Sequence, residues 1–363
     1  MVYRAIGLMS GSSLDGLDIV FAEFQEVSGK WEYSIRAAEC FPYEKEWEQK
    51  LQKSTSLSAL DYQLLHTDYG HYIGKTINKF IEKHHLQYQV QLITSHGHTS
   101  FHIPSRMMTA QIGDGAAIAA ETGINTVSDL RAMDLALGGQ GAPIVPIGEK
   151  LLLKDYSLLL NLGGIANVSA NVPGENIAFD ICPANRVLNL LAAKSGKTYD
   201  ENGVMAATGD VDEKLLSNLN SLDYYNLSFP KSLANDFGTD IVFPLVEKSG
   251  LKTNDALRTY VEHIGIQLNK SLDQLLSKVK ISNPRLLATG GGAHNSFLTE
   301  RIKANIDHNI EFIIPDPQLI DFKEALVMAL IGILRWREEP NVLASVTGAS
   351  RDSIGGAVWI GQD

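Results

Sequence analysis

The sequence is short of cysteine, of clustered positive charge and of long apolar runs, and each shortage removes a class of protein. Two cysteines, Cys40 and Cys182, among 363 residues cannot build a disulfide framework and are too few for a cysteine-based zinc site. A reducing compartment suits such a chain. Lysine and arginine together number 31 against 42 aspartates and glutamates, a formal charge of -11, and no basic run stands out. That balance excludes a nonspecific nucleic-acid binder, because phosphate backbones are gripped by clustered Lys and Arg. It does not exclude a single nucleotide, which backbone N–H groups and a metal ion can hold locally. The segment Met1-Val2-Tyr3-Arg4-Ala5-Ile6-Gly7 lacks the basic start and apolar stretch of a signal peptide, and no segment reaches about 18 unbroken apolar residues. The expectation is a cytoplasmic protein.

What is present is a globular composition, 44% hydrophobic and 20% charged. The length exceeds what one hydrophobic core usually spans, so two lobes are expected. Strand-like runs at Tyr3 to Leu8, Leu17 to Phe24 and Trp31 to Ala38 predict an antiparallel meander. Residues 58 to 85 then place Leu60, Leu64, Leu65, Tyr69, Ile73, Ile77, Phe80 and Ile81 at helical spacing. A short run, Val90 to Thr94, leads into Ser95-His96-Gly97-His98, and a helix near Asp114 to Thr122 has Gly123 as its stop. The second half repeats this grammar: runs at Ser157 to Leu162, Ala166 to Ala170 and Ile177 to Ile181, a helix over 255 to 279, then Arg285 to Ala288 leading into Gly290-Gly291-Gly292. A further helix is expected over 322 to 337. The Gly- and Pro-rich segment 134 to 148 reads as the crossover, giving one lobe over 1 to 135 and a second over 136 to 342, with 343 to 363 packing back on the first.

Three loops in this order could hold phosphates. In Gly11-Ser12-Ser13-Leu14-Asp15-Gly16-Leu17-Asp18, glycines let backbone N–H groups approach phosphate oxygens and the serine hydroxyls add donors. Asp15 would repel a phosphate directly, so its useful roles are to hold Mg²⁺ through water or to fix the loop by accepting backbone N–H bonds. The loop lacks the Gly-Lys-Ser/Thr of a Walker A motif, and it also reads as an ordinary hairpin turn. Gly163-Gly164 sits at the matching point of the second meander. Gly290-Gly291-Gly292 follows a buried-looking strand and precedes a helix, where backbone can pack against a nucleotide.

Other candidates carry alternatives. His96 and His98, two apart on an extended segment, project to one side and raise the question of a metal, with cleft polar groups as the alternative; His102 reads as surface or turn. Cys182, two residues after Asp180, reads as a nucleophile or as a small buried hydrophobe. Arg131, between Asp129 and Asp134, reads as an ion-paired turn residue or a ligand contact, and Glu324 as a solvated helix residue.

These strings together resemble the anhydro-N-acetylmuramic acid kinases, members of the sugar-kinase, Hsp70 and actin fold group. The resemblance spans nearly the whole chain: the first loop, Ser95-His96-Gly97-His98-Thr99, Gln111 to Gly115, Val127 to Asp134, Gly138 to Pro143, Asn161 to Ser169, Phe179-Asp180, Gly290 to Asn295 and Ser345 to Ala349. It implies an α/β fold of two RNase H-like lobes with an interlobe active-site cleft, ATP and Mg²⁺ as cofactors, a 1,6-anhydro sugar as acceptor, and a homodimer. In the family the residue matching Asp180 is the general base toward the water that attacks the anomeric carbon, and O6 of the opened sugar takes the γ-phosphoryl group. Residues matching Arg131 and Glu324 contact the sugar. His98 stands where the family usually has glutamine, which makes it a further sugar-contact candidate.

Two departures bear on this. Where the family usually reads Asp-Thr-Gly-Pro-Gly-Asn, this chain has Asp180-Ile181-Cys182-Pro183-Ala184-Asn185. Where it typically has Pro-Lys-Ser-Thr-Gly-Arg-Glu, this chain has Pro230-Lys231-Ser232-Leu233-Ala234-Asn235-Asp236. They leave open a kinase for another anhydro or amino sugar, and a noncatalytic ATP-binding regulator; a metal hydrolase built on His96 and His98 is a third reading.

Overall fold

The computed structural model describes residues 1–11, 14–172, 177–234 and 236–362. The chain divides into two compact units, Met1–Leu153 with Phe322–Asp363, and Lys154–Asp321. In unit 1, the apolar runs seen in the sequence form β1 (Val2–Ser10), β2 (Gly16–Val27) and β3 (Lys30–Pro42), each antiparallel to the next. β4 (Leu92–Ser95) then pairs parallel to β1. A ribbon of β5 (His98–Ile103) and β6 (Met108–Ile112) stands apart from the main sheet, and β7 (Thr126–Ser128) pairs parallel to β4. The C-terminal strand Ala357–Trp359 closes this sheet by pairing antiparallel with β7.

Unit 2 repeats the order. β8 (Leu158–Leu162), β9 (Ile165–Ala170) and β10 (Ala178–Pro183) form the meander, β11 (Arg285–Thr289) adds parallel to β8, and β12 (Glu311–Ile313) adds parallel to β11. Both sheets therefore run third, second, first, fourth, fifth strand, the RNase H-like arrangement that the family resemblance implies.

Helices cover the sheets with the residues that periodicity selects. Helix Ala59–Lys83 is capped by Ser58, which accepts from the Asp61 N–H, and lays Leu65, Tyr69, Ile73, Ile77 and Phe80 against Ile6, Leu8, Leu17, Ile19 and Phe21. Helix Thr253–Leu276 does the same in unit 2 with Leu257, Tyr260, Val261, Ile264, Leu268 and Leu272. Gly123 ends helix Gly115–Thr122 at φ +70°, a left-handed stop that glycine supplies without strain.

The division of the chain differs from the sequence expectation of 135/136 and 342/343. Residues 136 to 153 belong to unit 1, because helix Pro146–Leu152 packs on β3 and its Gly148 abuts Val327. Residues 322 to 342 belong there too. Helix Pro317–Trp336 crosses β1 where Gly7 meets Ala325 and Ala329, and β4 where Gly332 meets Thr94; a side chain at either glycine would collide with the opposing backbone or side chain. No helix among the described residues is long and apolar enough to cross a membrane.

Candidate active site

In unit 2, the residues named from sequence gather at the carboxyl ends of β8 and β11, the position where open α/β sheets bind ligands. Gly290 has φ +82°, and a Cβ there would lie 2.5 Å from Asn161 Oδ1 and 3.0 Å from the Leu162 carbonyl carbon. Only glycine lets these two strand ends approach so closely. Gly292 is packed as tightly, with Leu162 Cβ at 2.8 Å, whereas Gly291 has nothing nearer than Asn185 Nδ2 at 3.8 Å. Gly163 and Gly164 spend their carbonyls on the start of helix Asn185–Ala193: Gly163 O accepts from the Asn185 N–H at 3.1 Å, and Gly164 O accepts from Ala184 at 2.8 Å and Arg186 at 3.3 Å. Asn185 Nδ2 also donates to Leu162 O at 2.9 Å. The outer side of this glycine turn is open, since a Cβ on Gly164 would meet only Arg186 atoms at 3.8 Å and beyond. Two of the three predicted loops thus form one backbone-lined cradle around Asn161, Leu162 and Asn185. Asn185, which spacing alone gives no role, bonds the first of these loops through its amide and lies against Gly291 and Gly292 of the second.

Asp180 is placed by a bulge. Asp180 pairs with Asn167 and Cys182 with Ala166, so Ile181 is the extra residue. Ile181 and Cys182 are both buried in the core, while Asp180 stays half-buried on the other side. Its Oδ2 accepts from the Leu233 N–H at 2.8 Å, its own N–H donates to Lys231 O at 3.3 Å, and Tyr224 donates to its carbonyl at 2.7 Å. Burial raises the carboxyl above the ordinary aspartate range, and the single Leu233 N–H bond only partly opposes this. Lys231 lies over the Tyr224 ring at 4.8 Å and the Phe179 ring at 5.8 Å. Neither Lys231 nor Tyr224 was singled out from sequence, because both act through backbone and rings that spacing does not reveal.

Cys182 is fully buried, and desolvation pushes its thiol up, away from the thiolate a nucleophile needs. The buried-hydrophobe alternative holds for it.

In unit 1, Arg131 is clamped. Its Nε donates to His96 Nε2 at 2.8 Å and its Nη1 donates to Gly141 O at 2.6 Å. His96 accepts there because its Nδ1 donates to Gly97 O at 2.9 Å, and burial together with the Arg131 charge holds it neutral, with its pKa depressed to about 3. Both ring nitrogens of His96 are thereby occupied. The metal reading of the histidine pair fails on this geometry, and no group of three or more His, Cys, Asp or Glu among the described residues is arranged to hold a metal ion. Gly141 is held in turn by Asp134, which is fully buried, accepts from the Gly141 N–H at 2.7 Å and accepts from Thr347 Oγ1 at 2.7 Å. Three separate sequence motifs, Val127 to Asp134, Gly138 to Pro143 and Ser345 to Ala349, are therefore one structure whose product is a fixed guanidinium. Glu324 is exposed, and its charge bears on Arg131. His102 is exposed, as expected, yet it adjoins the same group: its Nδ1 contacts Thr109 Oγ1 at 3.2 Å and its ring lies near the Gly141 Cα.

The first loop is the hairpin between β1 and β2. Gly11 and Leu14 are its described ends, the latter at φ 56°, and Ser12 and Ser13 lie outside the described residues. Gly16 and Leu17 belong to β2. A Cβ on Gly16 would lie 2.6 Å from Phe41 O, and Leu17 is a core residue, so strand packing accounts for both. Asp15 and Asp18 each have interaction partners. His98 is buried, and its Nδ1 lies 3.1 Å from Ser10 Oγ at the foot of this loop.

A family model described as anhydro-N-acetylmuramic acid kinase matches residues 3–361. The chain is 32% identical to the anhydro-N-acetylmuramic acid kinase of Hydrogenovibrio crunogenus, with 98% of this chain and 97% of that protein covered. It is 34% identical to the protein of the same name from Pasteurella multocida, covering 98% and 96% of the two chains. Among solved structures, the activator of the 2-hydroxyisocaproyl-CoA dehydratase from Clostridium difficile, with bound ADPNP, aligns over 92% of this chain and 96% of that one at 17% identity and a TM-score of 0.44. That last likeness is too distant to bear on the site.

Proposed function

The chain belongs to the anhydro-N-acetylmuramic acid kinase family, and from that membership we propose how its residues divide the reaction. It is an ATP-dependent phosphotransferase that opens the anhydro ring of anhydro-N-acetylmuramic acid with water and phosphorylates O6, giving N-acetylmuramic acid 6-phosphate in cell-wall recycling. Asp180 is the general base. The observation that carries this role is its half-buried carboxylate on a bulge, with one oxygen pinned by the Leu233 N–H and the charge under-solvated. The other oxygen then accepts a proton from the water that bonds to C1. As C1–O6 breaks, O6 keeps the electron pair and bonds to the γ-phosphorus while the bond from that phosphorus to the β,γ-bridging oxygen breaks and ADP leaves with its electrons, so O6 needs no separate acid.

The Gly163-Gly164 and Gly290-Gly291-Gly292 cradle takes the nucleotide. Its support is the open outer side of Gly164 and Gly291 beside backbone too tight for any side chain at Gly290. Arg131, held in a fixed fork by His96 and Gly141, meets the polar groups of the sugar, with Glu324 and His98 as its neighbours in that task. Mg²⁺ would complete the cofactors, its chemistry there being neutralisation of charge on the transferred phosphoryl group. Asp15 is the carboxylate that would hold it, through water. The homodimer implied by the family resemblance and the cytoplasmic location expected from the sequence belong to this reading too; light scattering of the purified chain tests the first.

ADP release, measured with ATP, Mg²⁺ and a panel of 1,6-anhydro-N-acetylmuramic acid, levoglucosan and N-acetylmuramic acid, tests the assignment. Turnover with the anhydro-muramic sugar alone is expected. Turnover only with another member moves the acceptor, and silence across the panel with intact ATP binding removes the catalytic reading.

A further inference from the structure

Unit 1 carries a string of hydroxyls that ends on His98. Tyr69, fully buried on helix Ala59–Lys83, has its hydroxyl 2.5 Å from that of Tyr43. Tyr43 donates to Ser10 Oγ at 2.8 Å, and Ser10 Oγ lies 3.1 Å from His98 Nδ1. Ser10 is 3% exposed and His98 8%.

Each hydroxyl has one hydrogen, so the direction of the string can be worked out. The Tyr43 hydrogen is spent on Ser10, so between the two tyrosines it is Tyr69 that donates. Ser10 accepts from Tyr43 and has its own hydrogen left, for which the nearby acceptors are His98 Nδ1 at 3.1 Å and the Tyr69 hydroxyl oxygen; of these only the imidazole nitrogen can bring no hydrogen of its own. Were Nδ1 to carry a proton instead, Ser10 would lose its nitrogen acceptor and its hydrogen would have to turn back onto the tyrosine hydroxyls. Burial also keeps the His98 ring neutral, and it holds the Tyr43 phenol un-ionised, with its pKa pushed up to about 12. A neutral imidazole that accepts at Nδ1 carries its proton at Nε2. No partner for that Nε2 is found among the described residues.

We infer that Tyr69, Tyr43 and Ser10 are positioning residues that hold His98 in its Nε2–H tautomer, so that it presents a hydrogen-bond donor to an oxygen of the sugar acceptor. This inference rests on the reading that His98 faces the sugar. A donor at this point selects an acceptor oxygen, such as a hydroxyl, ether or carboxylate oxygen of the ligand. The string favours one tautomer, a preference that a ring floating in solvent would lack.

The test combines a spectroscopic and a kinetic readout on the full-length enzyme. In protein labelled with ¹⁵N-histidine, the ring resonances of His98 are assigned by their loss in His98→Gln. Nδ1 is expected to resonate as the unprotonated, pyridine-type nitrogen and Nε2 as the protonated one; a protonated Nδ1 overturns the inference. In Tyr43→Phe, which keeps the ring and its packing, Ser10 becomes free to accept from His98. The tautomer is then expected to mix or reverse, while an unchanged pattern removes the string from control. The same variant is expected to raise KM for the sugar about fivefold, roughly one neutral hydrogen bond, with kcat and KM for ATP kept. An unchanged sugar KM overturns the positioning role. His98→Phe separates the two layers: if it leaves the sugar KM unaltered, the sugar-facing reading of His98 fails while the tautomer result stands on its own.

Discussion

Replacing Asp180 by asparagine removes the base and little else. The variant side chain has the same shape, and its amide oxygen can accept the Leu233 N–H that Asp180 Oδ2 accepts at 2.8 Å. That bond fixes the amide's orientation. The NH₂ group then occupies the place of the second carboxylate oxygen, where it donates toward the water instead of taking its proton. Loss of a positioned general base costs roughly a hundred- to ten-thousand-fold, and kcat should fall within that range while ATP affinity is kept. Stability should move the other way. Burial raises the Asp180 carboxyl above its ordinary value, so the folded state favours the protonated form. Such a group stabilises the fold below its unfolded pKa, and this contribution is lost as pH rises through the folded value. At neutral pH, Asp180→Asn therefore relieves a buried charge, and its Tm should equal or exceed that of the native chain. The same shift predicts that sugar turnover in the native enzyme falls, on the acid side, at a pH above the ordinary aspartate range, because only the carboxylate accepts a proton. Coupled ADP release, ATP titration by calorimetry and thermal melts measure the three quantities. Turnover within a few-fold of native, with binding and melting unchanged, would refute the base assignment.

Gly290→Ala, at φ +82° and against Asn161 and Leu162, should destabilise unit 2 by about 1–3 kcal/mol and disturb nucleotide binding, whereas Gly164→Ala, whose Cβ meets nothing nearer than 3.8 Å, should fold with native stability and weaken ATP binding alone. Chemical denaturation and nucleotide titration separate the pair. Arg131→Lys should raise KM for the sugar roughly tenfold or more with ATP binding intact, since an ammonium cannot reproduce the two directed donors now spent on His96 and Gly141. Native protein should expose at most one thiol to a polar reagent, Cys40, because Cys182 is fully buried, and both should react in denaturant. Rapid labelling of Cys182 in the folded enzyme would reopen its reading as a nucleophile.

The fold was legible where one physical rule acts alone. Period-two and helical patterns located β1 to β3, β8 to β11 and the long helices, and Gly123 marked a helix end because it sits at positive φ. The short strands β7 and β12 and the C-terminal strand were not, since three residues carry no measurable period and pair only because a neighbouring strand is already in place. Glycine and proline content points to a boundary at 135, while the molecule carries unit 1 on to Leu153 because helix Pro146–Leu152 packs on β3. The site shows the same contrast. Glycine loops announced themselves, but the reason Gly290 is glycine lies in Asn161, more than a hundred residues away in sequence. The support of Arg131 by His96, and of Gly141 by Asp134 and Thr347, joins residues no spacing connects.

The described departures from the family pattern at Cys182, Ala184 and Leu233 put apolar side chains into the unit 2 core. Cys182 and Ala184 replace glycines, yet neither adopts a positive φ, Ala184 having φ -123°, and both side chains are fully buried in the unit 2 core. They fill space on the side of β10 away from Asp180, since the bulge at Ile181 turns the carboxylate to the opposite face. At the second segment, Leu233 stands where the family typically has threonine. What holds Asp180 there is the backbone N–H, which every residue except proline supplies, while the leucine side chain joins the core. Asn235, at the position nearest the missing arginine, lies outside the described residues. The contacts that Asp180 makes here, to the Leu233 N–H, Lys231 O and Tyr224, need no side chain at the altered positions, and the substitutions trade glycine freedom for buried apolar volume beside an aspartate that keeps its place in the family pattern.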